Sequence, residues 1–245
     1  MSNTAQNRRF PKALPRWGSV VLAAALIGCA GDPTIQSGDD AEVIMGSLNK
    51  VENSRMGLAY VDPEGDYGRY TKVYVAPLDL DNVEIVQPNS NSTSMVNRYN
   101  KEWELTDKNR QDLQAAYREA MEQELTKGGA FEIADAGGDD VLAVEAALTR
   151  IAPNAPKDDA SSRTAGRSRV YTEGGGSISI AIVFADGDSG EVLAVIKDTR
   201  TSNNTGSWGI NNSVTNMADV RRSFSSWGSR IHDGLLQLQA MAETP

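Results

Sequence analysis

Side chains able to do chemistry are sparse in this chain, which holds one cysteine, Cys29, and one histidine, His232. A lone imidazole and a lone thiol cannot complete the four-coordinate nitrogen and sulfur sets that zinc favours. Two acidic turns, Asp186, Asp188 and Gly190, and Asp62, Glu64 and Asp66, have the spacing with which a calcium loop begins. The closing position of a twelve-residue loop needs a carboxylate, and Lys197 and Val73 occupy it instead. Both stretches therefore read as plain Asp and Gly turns. The segment GSWG at 206–209 lacks the strand and helix that frame a nucleophile elbow. The glycine run at 174–176 precedes a strand rather than following one, which makes it a hinge and not a phosphate cradle. No catalytic residue, metal or cofactor is expected, the chain is read as a non-enzyme, and His232 is expected at the boundary of the core.

Cys29 has the most specific setting. Residues 1–16 carry Arg8, Arg9, Lys12 and Arg16 with no acid, and residues 18–28 are apolar or small, the order of an export signal. That run is too short to cross a bilayer core of about 30 Å permanently, which takes about 20 apolar residues, so its removal is expected. Leu26, Ile27, Gly28 and Cys29 resemble a bacterial lipobox, in which signal peptidase recognises the three residues before the cysteine and cuts ahead of it. The sulfur and the new amino terminus then take acyl chains. A single cysteine in an exported chain has no disulfide partner; here it becomes an attachment point. One acyl chain holds a protein only marginally, at about 0.8 kcal/mol per buried methylene, and the two or three chains of such lipoproteins make the anchor stable. Ala30 stands where, by resemblance to enterobacterial lipoproteins, Asp would favour retention in the inner membrane. The expected location is the outer membrane, lipid-anchored through Cys29, with the domain in the periplasm. The sequence around Arg8 and Arg9 lacks the rest of a twin-arginine signal, which favours the general secretory route.

The chain has 33 acidic against 24 basic residues and a net charge of −9, and the first 28 residues hold four of the basic ones. So acidic a body repels phosphate backbones, and nucleic acid is excluded as a partner. Residues 29–56, rich in Gly, Asp, Ser and Asn, are expected to be a lipidated N-terminus and flexible tether, with a short docked segment at 43–48 as the alternative. Residues 57–245 are expected to form one domain. Val73 and Val75 alternate as in a strand that ends at Pro77, and 87–101 reads as a loop. A helix is predicted from Thr106 or Asp107, with Leu113, Tyr117, Ala120, Met121 and Leu125 on one face and Gly128 and Gly129 as its stop. Three strands of an antiparallel meander follow, near 141–152, 177–185 and 191–200. A last helix begins near Thr215, with Met217, Val220, Phe224, Trp227, Ile231, Leu235 and Leu238 at intervals of three and four. Gly228 and Gly234 each cost it about 1 kcal/mol relative to Ala, which suggests a strand passing close beneath. The fold class is α+β, an antiparallel or mixed sheet of about four to five strands with two main helices packed on it.

In order, "LAYVDPEGDYGRYTKVYVAPL", "LTDKNRQDLQAAYREAMEQEL", "DDVLAVEAALTRIAP" and "GSISIAIVFADGDSGEVLAVIKD" resemble a bacterial lipoprotein family labelled as a domain of unknown function, DUF3313, over residues 55–240. The resemblance implies an exported lipoprotein with a small α+β domain and no established catalytic residues. Strand alternation in the meander brings loops 153–175 and 201–213 to one end of the sheet. Arg163, Arg167, Arg169 and Trp208 on these loops form a candidate contact surface for anionic sugar, lipid phosphate or a protein partner in the envelope. The expected function is a membrane-anchored lipoprotein carrying a periplasmic binding or assembly module. Alternatives are an envelope hydrolase acting on cell-wall or surface polysaccharide through paired carboxylates, and a small-ligand carrier. Two carboxyl groups facing across a cleft would favour the hydrolase, an apolar cavity the carrier, and a filled core the binding module.

Overall fold

The computed structural model describes residues 31–87, 103–153, 171–172, 176–202, 209–210 and 213–242. In chain order the strands before the first helix are β1 (Thr34–Ile35), β2 (Val43–Ile44), β3 (Leu48–Glu52), β4 (Leu58–Val61), β5 (Lys72–Val75) and β6 (Glu84–Ile85). Helix α1 (Asp107–Leu125) precedes β7 (Glu132–Ile133), β8 (Val141–Ala152), β9 (Tyr171–Thr172), β10 (Gly176–Asp186), β11 (Val192–Ser202) and β12 (Gly209–Ile210), and α2 (Ser213–Ala242) closes the chain.

Period-two patterning builds the centre of the sheet. Leu142, Val144, Ala146 and Leu148 of β8 and Ile178, Ile180, Ile182 and Phe184 of β10 are all buried, while Glu145 between them and Thr149 just beyond Leu148 are exposed. The strands pair antiparallel, with Ile182 opposite Ala146 on one side and Ile196 of β11 on the other. The register shifts between Phe184 and Ala185, and beyond it Leu193 is buried beside Ala194, a departure from the simple alternation at 192–196. Across the described residues the sheet runs β1-β3-β4-β11-β10-β8-β5-β7, with β2 beside β3 and β6 beside β8. It is mixed, because β5 and β6 lie parallel to β8 and β7 lies parallel to β5.

The α+β class holds, but the sheet has ten strands rather than four to five. The additions are mostly two-residue ladders, too short to carry any periodicity. Pro77 does end β5, yet the chain stays against β8: Asp79 donates to the Ala146 carbonyl at 2.8 Å and Val86 to the Ile151 carbonyl at 2.9 Å. The flexible tether at 29–56 also needs correction, since β1, β2 and β3 lie within it. Val51 pairs with Ile35, Lys50 with Tyr60, and the Leu48 side chain is fully buried. Ladder bonds to β4 order this segment, and its polar composition conceals them.

Helix α1 starts where the cap signal placed it. Thr106 Oγ1 accepts from the Asn109 backbone at 3.2 Å, and Asn109 Oδ1 accepts from the Thr106 backbone at 3.3 Å, satisfying donors that the first turn leaves open. Gly128, at φ +66°, lies in the turn beyond its end. Leu113, Tyr117, Met121 and Leu125 are buried, as are Phe224, Trp227, Ile231 and Leu235 of α2. The helices meet through Tyr117 and Phe224, edge to face at 5.6 Å. A Cβ on Gly228 would stand 2.8 Å from Glu124 Cβ, so α1 is the close neighbour there and not a strand. Nothing lies within 4 Å of a Cβ built on Gly234, which corrects the same expectation in the opposite direction.

Candidate functional site

Cys29 with Leu26, Ile27 and Gly28, and the contact-surface residues Arg163, Arg167, Arg169 and Trp208, lie outside the described residues. The described parts of the two long loops pair with each other: Tyr171 lies opposite Ile210 and Thr172 opposite Gly209 in the β9–β12 ladder. The two loops thus share a short ladder.

The acidic turns are occupied by their own hydrogen bonds. Asp186 accepts from the Ser189 backbone at 2.7 Å, Ser189 Oγ at 2.8 Å, the Asp188 backbone at 3.1 Å and Tyr70 Oη at 2.8 Å. Arg69 stands 3.3 Å away and also donates to the Asp139 carbonyl. The Ser189 backbone N–H foremost, with Tyr70 and the Ser189 hydroxyl, holds the carboxyl well below the usual range against the opposing effect of burial. Burial and the same hydrogen bond push the Tyr70 hydroxyl up. With its oxygens so engaged, Asp186 is a clamp between the β10–β11 hairpin and the segment before β5. Asp62 makes the same kind of turn, accepting from the Glu64 backbone at 2.9 Å. Among the described residues no group of three or more His, Cys, Asp or Glu side chains is placed to hold a metal ion. His232 is half-buried, 3.2 Å from the Lys127 carbonyl.

The concave feature lies under the second half of α2. A cavity of about 110 Å³ opens between that helix and β1, β3, β4 and β11, with Ile35, Val51, Met56, Ile196, Leu235 and Leu238 among its walls. Gly234 leaves a gap in the helix face, and the half-exposed Met241 stands at the end. Arg55, Arg230 and Asp233 supply its charge. Asp233 Oδ2 is 3.3 Å from Arg55 Nη1, and Arg230 Nη1 donates to the Arg55 carbonyl. Beside them, Asp198 accepts from Trp227 Nε1 at 2.7 Å and the Gly57 backbone at 2.9 Å and pairs with Arg200 at 3.0 Å. Burial, followed by the positive charge of Arg200, lowers the Arg230 pKa. A wall of this kind is complementary to an apolar group. Among the described lining residues Asp233 alone carries a carboxyl, so these residues present no carboxylate pair across the cleft. The sequence reading missed this feature because its walls come from segments more than a hundred residues apart. The available signal was Gly234, a costly residue in a helix with no packing reason to be there.

A comparison with curated proteins found no match. Among solved structures, the PelC dodecamer from Paraburkholderia phytofirmans aligns at 10% identity with a TM-score of 0.34, covering 66% of this chain and 89% of that one. A Xanthomonas campestris protein of family DUF330 aligns at 10% identity with a TM-score of 0.40, covering 72% of this chain and 89% of that one. The model of the family described as protein of unknown function DUF3313 matches residues 46–231, from the turn before β3 to the buried centre of α2, and the chain belongs to that family.

Proposed function

We propose that this chain is a lipoprotein of the cell envelope, anchored in the outer membrane by acyl chains on Cys29. Its periplasmic domain is a non-catalytic small-ligand carrier, and it binds in the cleft under α2. The open apolar cleft carries this reading. It is the feature that separates a small-ligand carrier from a module with a filled core. The hydrolase alternative has less support, because the described residues of the cleft hold no second carboxyl and Asp186 is committed to its turn. The Arg163, Arg167, Arg169 and Trp208 surface is retained as a second contact site for an envelope partner, on loops joined by the β9–β12 ladder.

Intact mass spectrometry of protein extracted from membranes tests the anchor. A chain beginning at Cys29 with acyl masses is expected, and retention of Met1 or a free thiol overturns it. The cleft is tested with the uncharged fluorophore N-phenyl-1-naphthylamine on the full chain carrying Cys29→Ser and purified without detergent. Binding should be saturable and should weaken at least tenfold in Gly234→Leu, whose side chain fills the gap. Equal binding by both chains would remove the cleft as the site.

A further inference from the structure

We infer that the cleft takes a single-chain carboxylate amphiphile, a fatty-acid-like ligand whose alkyl tail lies along the apolar wall and whose head pairs with Arg230. This deepens the small-ligand-carrier reading and rests on it. Three observations on different residues support it. First, the wall is aliphatic on both sides, Ile35, Val51 and Ile196 on the strands against Leu235 and Leu238 on α2, which suits a flexible chain without hydrogen-bonding groups. The cavity, about 110 Å³, takes part of such a chain, and the rest of a tail would follow the open groove toward Met241.

Second, the charge lining the cleft has the sign opposite to a carboxylate head. Among the described lining residues Arg55 and Arg230 stand against the single carboxyl of Asp233, with the Arg200–Asp198 pair as their neighbour, a local positive excess in a chain whose net charge is −9. Third, both carboxylates are already bound, Asp198 by Trp227, Gly57 and Arg200, and Asp233 by Arg55. Arg230 gives one N–H to the Arg55 carbonyl, and among the described residues no side-chain carboxylate lies within ion-pair distance of it. A guanidinium presents paired N–H groups that match a carboxylate in bidentate fashion. A ligand head at this place would relieve the repulsion among the three arginines. Arg55, exposed and held among the described residues by Asp233, can turn toward the same head.

The test is isothermal titration of the full chain carrying Cys29→Ser with laurate, dodecanol and butyrate below their aggregation limits. Laurate should bind at least tenfold more tightly than dodecanol, and butyrate should show no saturable binding. Arg230→Gln should remove the advantage of laurate, so that laurate and dodecanol bind this variant with the same affinity. Within a series of shorter acids, each added methylene in contact with the wall should strengthen binding about fourfold. If dodecanol and N-phenyl-1-naphthylamine bind as expected but laurate has no advantage, the anionic-head inference fails and the apolar cleft stands. If none of the three binds, the cleft reading itself fails. Butyrate binding as tightly as laurate would show a small-anion site and overturn the inference too.

Discussion

Asp186 shows how a carboxylate that looks like a ligand at first sight serves the fold. Its side chain is only 6% exposed and satisfies four donors from Tyr70, Asp188 and Ser189. Hydrogen bonds to a charged group contribute about 1.5–3 kcal/mol each when their removal leaves a buried partner. Asp186→Asn keeps the shape but loses the charge facing Arg69, and urea unfolding should show it about 1.5–3 kcal/mol less stable at pH 7. The folded-state pKa lies below the ordinary 3.8, so the carboxylate's contribution is complete above that value and is lost as pH falls through the folded pKa. The gap between wild type and variant should therefore be flat from pH 5 to 8 and should shrink below about pH 3.8. A gap that stayed constant into acid would assign the effect to shape alone.

Two glycines on α2 differ because of what stands opposite them. Gly234 faces open space and Gly228 faces Glu124 of α1. Gly234→Ala should raise stability by about 1 kcal/mol through helix propensity. Gly228→Ala gains the same propensity but drives a Cβ to 2.8 Å from another Cβ, and overpacking of this kind costs about 1–3 kcal/mol, so the net change should be a loss. Paired thermal melts decide this, and a gain at both positions would mean that the helices separate without cost. At this scale much was legible. The Thr106 cap, the α1 and α2 faces and the β8 and β10 alternations are local patterns, each set by neighbours within a few residues. Two-residue strands such as β1, β6 and β7 carry no such pattern, because a partner strand defines them.

For the whole molecule, the consequential difference lies at the N-terminal edge. Residues expected as a tether supply β1 to β3, which cover β4 and bury Leu48, and Ile35 and Val51 from them wall the cleft. A chain beginning at residue 57 should melt lower than one beginning at residue 29. Leu48 alone accounts for about 2 kcal/mol of burial, a drop of roughly 4–8 °C for a domain of this size, and the uncovered edge of β4 should promote association. Equal melting of the two chains would return the segment to the status of a tether. The sequence by itself determined the α+β class, the family, both helices and the three central strands. It also carried the lipobox reading at Cys29, because each of these is written in adjacent or periodically spaced residues. Only the tertiary structure decided the extent of the sheet, the role of residues 31–56 and the cleft with its arginines. Those depend on backbone groups and side chains far apart in the chain, whose meeting is set by packing and leaves no periodic trace.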